Sequence, residues 1–250
     1  MGWLRAILTG LGLIALWQAT IMISGVPPFI LPGPAAVFTV LVERAPLIAH
    51  HASITATEII AGIIIGTMIG VMSALLLVSF QTARRWLLPV LVISQALPVF
   101  ALAPLLVLWL GYGMGSKIAM AVLIIYFPVT AAFFDGLRRI EPGWLELARV
   151  MNARPSATLM QIRIPAALPA FGSGLRVAAS VAPIGAVVGE WVGSSGGLGY
   201  LMLHANARMQ IDLMFAALLV LAAMGLGLYF AIDYGLRRFI SWQPESLEQS

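Results

Sequence analysis

Six stretches of this chain are each long and apolar enough to cross a lipid bilayer. A spanning helix needs about 20 mostly apolar residues, because it rises about 1.5 Å per residue across a hydrocarbon core of about 30 Å. Of the 250 residues, 61% are hydrophobic and only 10% are charged, whereas soluble domains carry about 25% charged residues. The sequence therefore predicts an all-α, polytopic membrane protein. Its six or so transmembrane helices are expected at residues 6–25, 57–79, 87–110, 118–134, 172–192 and 213–232.

The apolar runs leave no room for a separate soluble domain, so residues 1–250 are expected to form a single membrane domain. The first run follows Arg5, which is also typical of a signal peptide. It is longer than the usual apolar region of a signal peptide, and the segment behind it offers a weak cleavage site, so a retained anchor is favoured. The absence of cysteine excludes disulfides and cysteine-based metal sites.

Basic residues mark one side of the predicted bundle. Those between spans two and three, between spans four and five, and after span six are Arg84, Arg85, Arg138, Arg139, Arg149, Arg154, Arg163, Arg237 and Arg238. Only Arg44, Lys117 and Arg208 fall on the other side. The positive-inside rule then predicts that both termini and segment 135–170 are cytoplasmic. Because the arginines are spread along membrane borders and form no basic face, nucleic acid is not an expected partner.

Span two carries Gly62, Gly66 and Gly70, spaced four residues apart. Glycines at this spacing line one helix face and allow another backbone to approach closely, which is how helices associate in lipid. Packing against a neighbouring span of the same chain and packing at a subunit interface are both compatible with the pattern.

A few polar residues inside the spans are candidates for a translocation path. Gln95 and Pro98 lie in span three with Pro104, so this helix is expected to be kinked and to line a cavity. Glu190 in span five and Glu58 in span two are costly to bury. Both are expected near the membrane interfaces, where water can reach them, and Glu190 is either interfacial or part of the path.

Two adjacent histidines precede span two, close to a predicted amphipathic surface helix at residues 34–47. On a helix, His50 and His51 point about 100° apart and cannot chelate one metal as an i, i+4 pair could. An interfacial polar role is favoured, and no metal site is predicted.

A polar segment interrupts the apolar pattern between spans four and five. From Glu141 to Met151 a helix is expected, with Trp144, Leu147, Ala148 and Met151 on one apolar stripe. Asparagine tolerates the left-handed conformation in which helices often end, so Asn152 is predicted to stop it. A second helix should run from Pro155 and end before Pro165. Composition leaves open whether the apolar stripe faces the membrane or a protein.

This segment resembles the EAA loop of bacterial ABC importer permeases. The matching residues are Glu146, Ala148, Asn152, Ile162 and Pro165, followed by the sequences AALP and GLRVA. The chain departs from the family pattern at Leu147 in place of alanine, at Asn152 in place of glycine and at Ile164 in place of leucine. Residues 98–117 and 189–202 are similar to permeases for nitrate, sulfonate, taurine and thiamine precursors. The run NARMQIDLMFAALL most resembles permeases for hydroxymethylpyrimidine-type precursors.

The resemblance implies a bacterial inner-membrane subunit that works with several partners. Two permease copies, expected to be a homodimer, would form the path, and an external solute-binding protein would deliver the solute. Cytosolic ATPase subunits would bind ATP and Mg²⁺, so no cofactor is expected in this chain. The implied ATPase-coupling residues are Glu146, Ala148, Asn152, Ala153 and Pro165.

No enzymatic activity is predicted for the chain itself. It has no G-x-x-x-x-G-K-[ST] phosphate loop, and no G-x-S-x-G motif frames Ser194 or Ser195. The remaining alternative is an ATP-independent secondary carrier, which would be expected to show inverted repeats or midplane carboxylates. Neither feature is evident in the sequence.

Overall fold

The computed structural model describes residues 2–240 and 242, and among residues 2–7 only the side chain of Leu4. This part of the chain is helical and contains no strands. The helices are α1 Gly2–Ser24, α2 Pro34–Glu43, α3 Ala45–Ser79, α4 Gln81–Ala96, α5 Val99–Leu110, α6 Met114–Arg138, α7 Pro142–Val150, α8 Pro155–Thr158, α9 Ile164–Gly193, α10 Leu198–Ala207 and α11 Ile211–Phe239. A π-helical turn, Leu159–Arg163, joins α8 to α9.

Four helical stretches among the described residues are long and apolar enough to span a bilayer: α3, α6, the continuous stretch Pro155–Gly193, and α11. The bent pair α4 and α5 would be a fifth if it counts as one span. The first predicted span coincides with α1, which is apolar over Leu8–Ser24, the part whose side chains the structure describes without a gap. The all-α membrane fold is confirmed, while the count of six spans stays a prediction.

The third predicted span is not one kinked helix. It is divided into α4 and α5, which meet at an angle of 103°. Leu97, between them, is extended with φ −80° and ψ 120°. A residue before proline disfavours the helical conformation, and Pro98 occupies the N-cap of α5. The backbone therefore breaks before Pro98, which makes the pair a broken span or a re-entrant hairpin.

Helix α6 lies at the centre of the bundle between two helices with glycine-lined faces. On one side, a Cβ placed on Gly62 would lie 2.6 Å from Cβ of Ala121, and one on Gly66 would lie 2.8 Å from Cγ2 of Ile125. On the other side, a Cβ on Gly174 in α9 would lie 2.6 Å from the carbonyl oxygen of Pro128. Gly62, Gly66 and also Gly70 thus pack against a helix of the same chain.

Helix α3 begins earlier than the second predicted span. Its first residue is Ala45, so it includes His50 and His51, and Arg44 makes the turn from the surface helix α2. At this end of the bundle, α2, α10 and α11 share an apolar cluster that includes Val37, Leu198 and Leu213.

Candidate functional site

Helix α7 and the turn behind it form a rigid element outside the membrane-spanning helices. Pro142 takes the first helical position, where its missing N–H costs nothing. At the other end Asn152 has φ +54°, the left-handed conformation predicted for it. The N–H of Ala153 donates to the carbonyl of Ala148 at 2.9 Å, and that of Asn152 to the carbonyl of Arg149 at 2.9 Å. This bond pair is the Schellman motif, which satisfies the free carbonyls and fixes the turn.

The predicted apolar stripe of α7 divides between two environments. Ala148 is buried at 4% exposure, so it anchors α7 to the rest of the protein. Trp144, Leu147 and Met151 are 59%, 58% and 71% exposed. Glu146 is exposed as well. A helix held by a buried alanine and presenting three large exposed apolar side chains is typical of a protein-docking element.

The second helix of this segment is longer than predicted. It begins at Pro155 but does not end before Pro165, because the π turn carries it without interruption into α9. Ile164 is helical, and its N–H bonds to the carbonyl of Leu159, five residues earlier. In a regular helix the ring of a proline clashes with the carbonyl four residues before it. The wider π turn just before Pro165 relieves this conflict, so α8, the π turn and α9 form one element.

A mostly apolar groove of about 560 Å³ lies beside α7. Trp144, at the start of α7, and Pro165, at the start of α9, both line it, together with Ile162 and Trp242. Among the predicted coupling residues, Ala148 and Ala153 are joined through the Schellman bond, and Pro165 faces the groove next to the exposed end of the stripe.

The three predicted path residues do not share one surface in a single chain. Gln95 and Pro98 are exposed at the break between α4 and α5. The adjacent Ser94 is hydrogen-bonded through its hydroxyl to the hydroxyl of Tyr126 in α6. Glu190, in contrast, is buried at 1% exposure in α9.

Glu190 and Glu58 form a buried carboxyl pair. Each is 1% exposed, so the expectation that water reaches both at an interface was wrong. Oε2 of Glu58 is buried and has no hydrogen-bond partner among the described residues. Oε1 of Glu190 also accepts a bond of 2.6 Å from the hydroxyl of Thr55 in α3. A carboxyl group inside an apolar span needs a buried polar partner. The occurrence of one glutamate in each of two predicted spans was the one sequence signal that could have linked Glu58 to Glu190.

The carboxyl pair lies beneath the glycine turn that begins α10. Gly197 has φ +107°, a conformation that glycine adopts far more readily than other residues. Its N–H donates to Nδ1 of His51 at 3.1 Å, and the next N–H, of Leu198, donates to the hydroxyl of Thr55 at 2.8 Å. The third, of Gly199, donates to Oε2 of Glu190. Side chains of α3 and α9 therefore cap α10 and tie the three helices together, a role the sequence did not reveal for His51 or Thr55.

Comparison with known proteins gives consistent results over most of the chain. A probable ABC transporter permease protein of Haemophilus influenzae is 59% identical over 91% of this chain and 93% of its own length. Two further relatives are each 34% identical. They are the formylaminopyrimidine transport permease protein ThiX of Halalkalibacterium halodurans, covering 93% of both chains, and the riboflavin transport system permease protein RibX of Chloroflexus aurantiacus, covering 92% of this chain and 87% of its own.

Solved structures include one with the same fold. An inward-facing form of the MetNI methionine ABC transporter superposes with a TM-score of 0.68 at 19% identity, over 78% of this chain and 97% of that one. The family model for the binding-protein-dependent transport system inner membrane component matches residues 62–241. The chain therefore belongs to this family, the multi-pass permease subunits of ABC importers, which in general work with a separate ATPase and a solute-binding protein.

Proposed function

We propose that two copies of this chain form the translocation path of an importer and that segment 135–170 couples the path to a cytosolic ATPase. The observation that carries this proposal is the exposed apolar stripe of α7, Trp144, Leu147 and Met151, on a helix closed by a Schellman motif. Such a rigid element can transmit a displacement from its exposed side chains to the membrane helices. The ATPase binds ATP and Mg²⁺. This chain forms one membrane domain over residues 1–250, and its helices move in response to the ATPase.

In this scheme each coupling residue has a distinct task. Glu146 is exposed and meets a basic group of the ATPase. Ala148, Asn152 and Ala153 hold the shape of the turn, and Pro165 forms the groove wall behind Trp144. Closure of the ATPase dimer on ATP binding brings the two loops together and opens the path outward. The coupling requires only that the loop makes different contacts in the two states.

The proposed orientation puts both termini and segment 135–170, which we call the coupling loop, in the cytoplasm of a bacterium. It rests on the excess of arginines at the borders that carry Arg84, Arg85 and the segment from Arg138 to Arg163. The binding protein then meets the opposite face, where α2 and α10 lie. Gln95 and Pro98, exposed at the break between α4 and α5, are proposed to line the path between two copies. Glu190 is proposed to act at its outer end.

The proposed solute is a pyrimidine precursor of thiamine. Support comes from the sequence run NARMQIDLMFAALL and from the formylaminopyrimidine relative. The riboflavin relative is equally similar and also carries a nitrogen heterocycle. A nitrate, sulfonate or taurine permease is the alternative. The solute assignment is tested by a thermal-shift screen of the binding protein that copurifies with this permease. The screened ligands are hydroxymethylpyrimidine, formylaminopyrimidine, riboflavin, taurine and nitrate. Stabilisation by taurine or nitrate alone would replace the pyrimidine assignment.

The coupling role is tested with Leu147→Gln and Glu146→Lys. Each removes one proposed contact from the exposed face of α7, so we expect reduced copurification of the ATPase and loss of uptake, with the permease still folded in the membrane. Phe239→Gln is the matched control for Leu147→Gln, because Phe239 is 73% exposed at the end of α11. Glu43→Lys is the control for Glu146→Lys in ATPase copurification only, because Glu43 is exposed on the face proposed to meet the binding protein. Normal ATPase association in both loop variants would refute the docking role.

A further inference from the structure

A cleft of about 530 Å³ lies behind the coupling loop, between that loop and the end of α3. We call it the arginine cleft. Its polar lining is Ser79 from α3, Arg149 from α7, and Ser156, Thr158 and Arg163 from the segment that follows. It is separate from the exposed stripe of α7, since Trp144, Leu147 and Met151 do not line it. Its size is in the range of small-ligand pockets.

The arginine cleft carries positive charge without compensation. No acidic residue lines it, and neither Arg149 nor Arg163 forms an ion pair with any residue that the structure describes. The lining adds three hydroxyl groups. That of Thr158 donates to the carbonyl of Arg154, so the hydroxyls of Ser79 and Ser156 are the donors offered to a ligand. A guanidinium binds phosphate oxygens through two parallel hydrogen bonds. Two guanidinium groups and two serine hydroxyls around one space match the chemistry of a phosphate group.

The position of the cleft indicates where that phosphate comes from. Ser79 is the last residue of α3, a helix long and apolar enough to span the bilayer. Arg84 and Arg85 follow in the first turns of α4, and Trp86 beside them is 76% exposed. Arginine and tryptophan at the end of a span are typical of the lipid headgroup region. Basic pockets between membrane helices on the cytoplasmic side are suited to anionic headgroups.

We infer that the arginine cleft binds the phosphate of an anionic phospholipid, with the headgroup between the guanidinium groups of Arg149 and Arg163. The apolar walls, which include Val78 and Leu159, receive the first part of the acyl chains. A bound lipid contacts both α3 and the coupling loop, so it stabilises the position of this loop relative to the membrane. The inference concerns the lipid alone and is independent of which solute is carried.

The experiment uses the full-length permease purified without its ATPase and stripped of lipid. Binding of phosphatidylglycerol and of phosphatidylcholine is measured by titration in detergent and by native mass spectrometry. We expect tighter binding of phosphatidylglycerol and about a 25-fold loss in the double variant Arg149→Gln/Arg163→Gln. That factor corresponds to about 1 kcal/mol for each arginine near an anionic membrane surface, at about 1.4 kcal/mol per tenfold change.

The matched control is Arg138→Gln/Arg238→Gln, which removes two exposed positive charges from the same side outside the cleft. We expect it to bind phosphatidylglycerol within about twofold of the unaltered protein. An equal loss in both double variants would mean general charge attraction and would overturn the site. Ser156→Asp gives a second measure, because it adds a negative charge to the cleft and keeps both arginines; unchanged lipid binding in this variant would also overturn it.

Two further outcomes separate other occupants of the cleft. If glycerol phosphate at millimolar concentration displaces no lipid, the acyl chains contribute as proposed; if it binds as tightly as the lipid, the site is one for soluble phosphate. If Arg149→Gln/Arg163→Gln binds lipid normally but loses the ATPase, the cleft belongs to the protein contact and the lipid inference is wrong. Because lipid binding is measured without the ATPase, its failure leaves the coupling proposal untouched.

Discussion

The sharpest prediction concerns the left-handed residue that ends α7. Asn152 has φ +54°, a conformation that costs most residues about 1–2 kcal/mol and that asparagine and glycine adopt more readily. In the variant Asn152→Val, this cost falls on the Schellman turn. The bond from the N–H of Ala153 to the carbonyl of Ala148, 2.9 Å long, should then open about 5- to 30-fold more often.

Amide hydrogen exchange measures this opening directly. We expect peptides containing Ala153 to exchange about 5- to 30-fold faster in Asn152→Val, while peptides from α6 and α9 are unchanged. Asn152→Gly is the control, because glycine adopts positive φ without steric cost, and its exchange should match that of the unaltered protein. The same loosening should weaken coupling of ATPase activity to solute-loaded binding protein. Exchange at Ala153 that does not change in the valine variant would refute the conformational argument.

Two further predictions test the packing of the bundle. Gly66→Ala should lower the free energy of unfolding by about 1–3 kcal/mol, because its Cβ would lie 2.8 Å from Ile125. Gly227→Ala, where no described atom beyond the neighbouring helix backbone lies within 4 Å of the new Cβ, should leave the melting temperature unchanged or slightly higher; equal melting of both variants would disprove close packing at Gly66. Thr55→Val should cost about 1–3 kcal/mol, since it leaves buried groups of the α10 cap without their partner, and should speed proteolysis at the glycine turn. Thr57→Val, at an exposed position of the same helix, should have little effect, and identical proteolysis in both would contradict the capping role.

The sequence predicts the features of this protein that depend on local physics. Hydrophobic length alone indicates α3, α6 and α11, because a spanning helix satisfies all its backbone hydrogen bonds internally. The end of α7 at Asn152 is also local, since one residue's tolerance of positive φ decides it. The exposed apolar stripe follows from helical periodicity, although only the structure separates buried Ala148 from its exposed neighbours.

Tertiary structure decided the features that depend on distant neighbours. Pro165 was expected to end a helix, but the π turn before it lets the backbone continue, and no local pattern predicts that turn. Thr55 and Glu190 are 135 positions apart and meet only because glycine-lined α3 and α9 both pack on α6. The arginine cleft likewise exists only because the coupling loop folds against the end of α3. Burial and pairing of charge are properties of the packed bundle, since solvent access at any residue is set by chain segments remote in sequence.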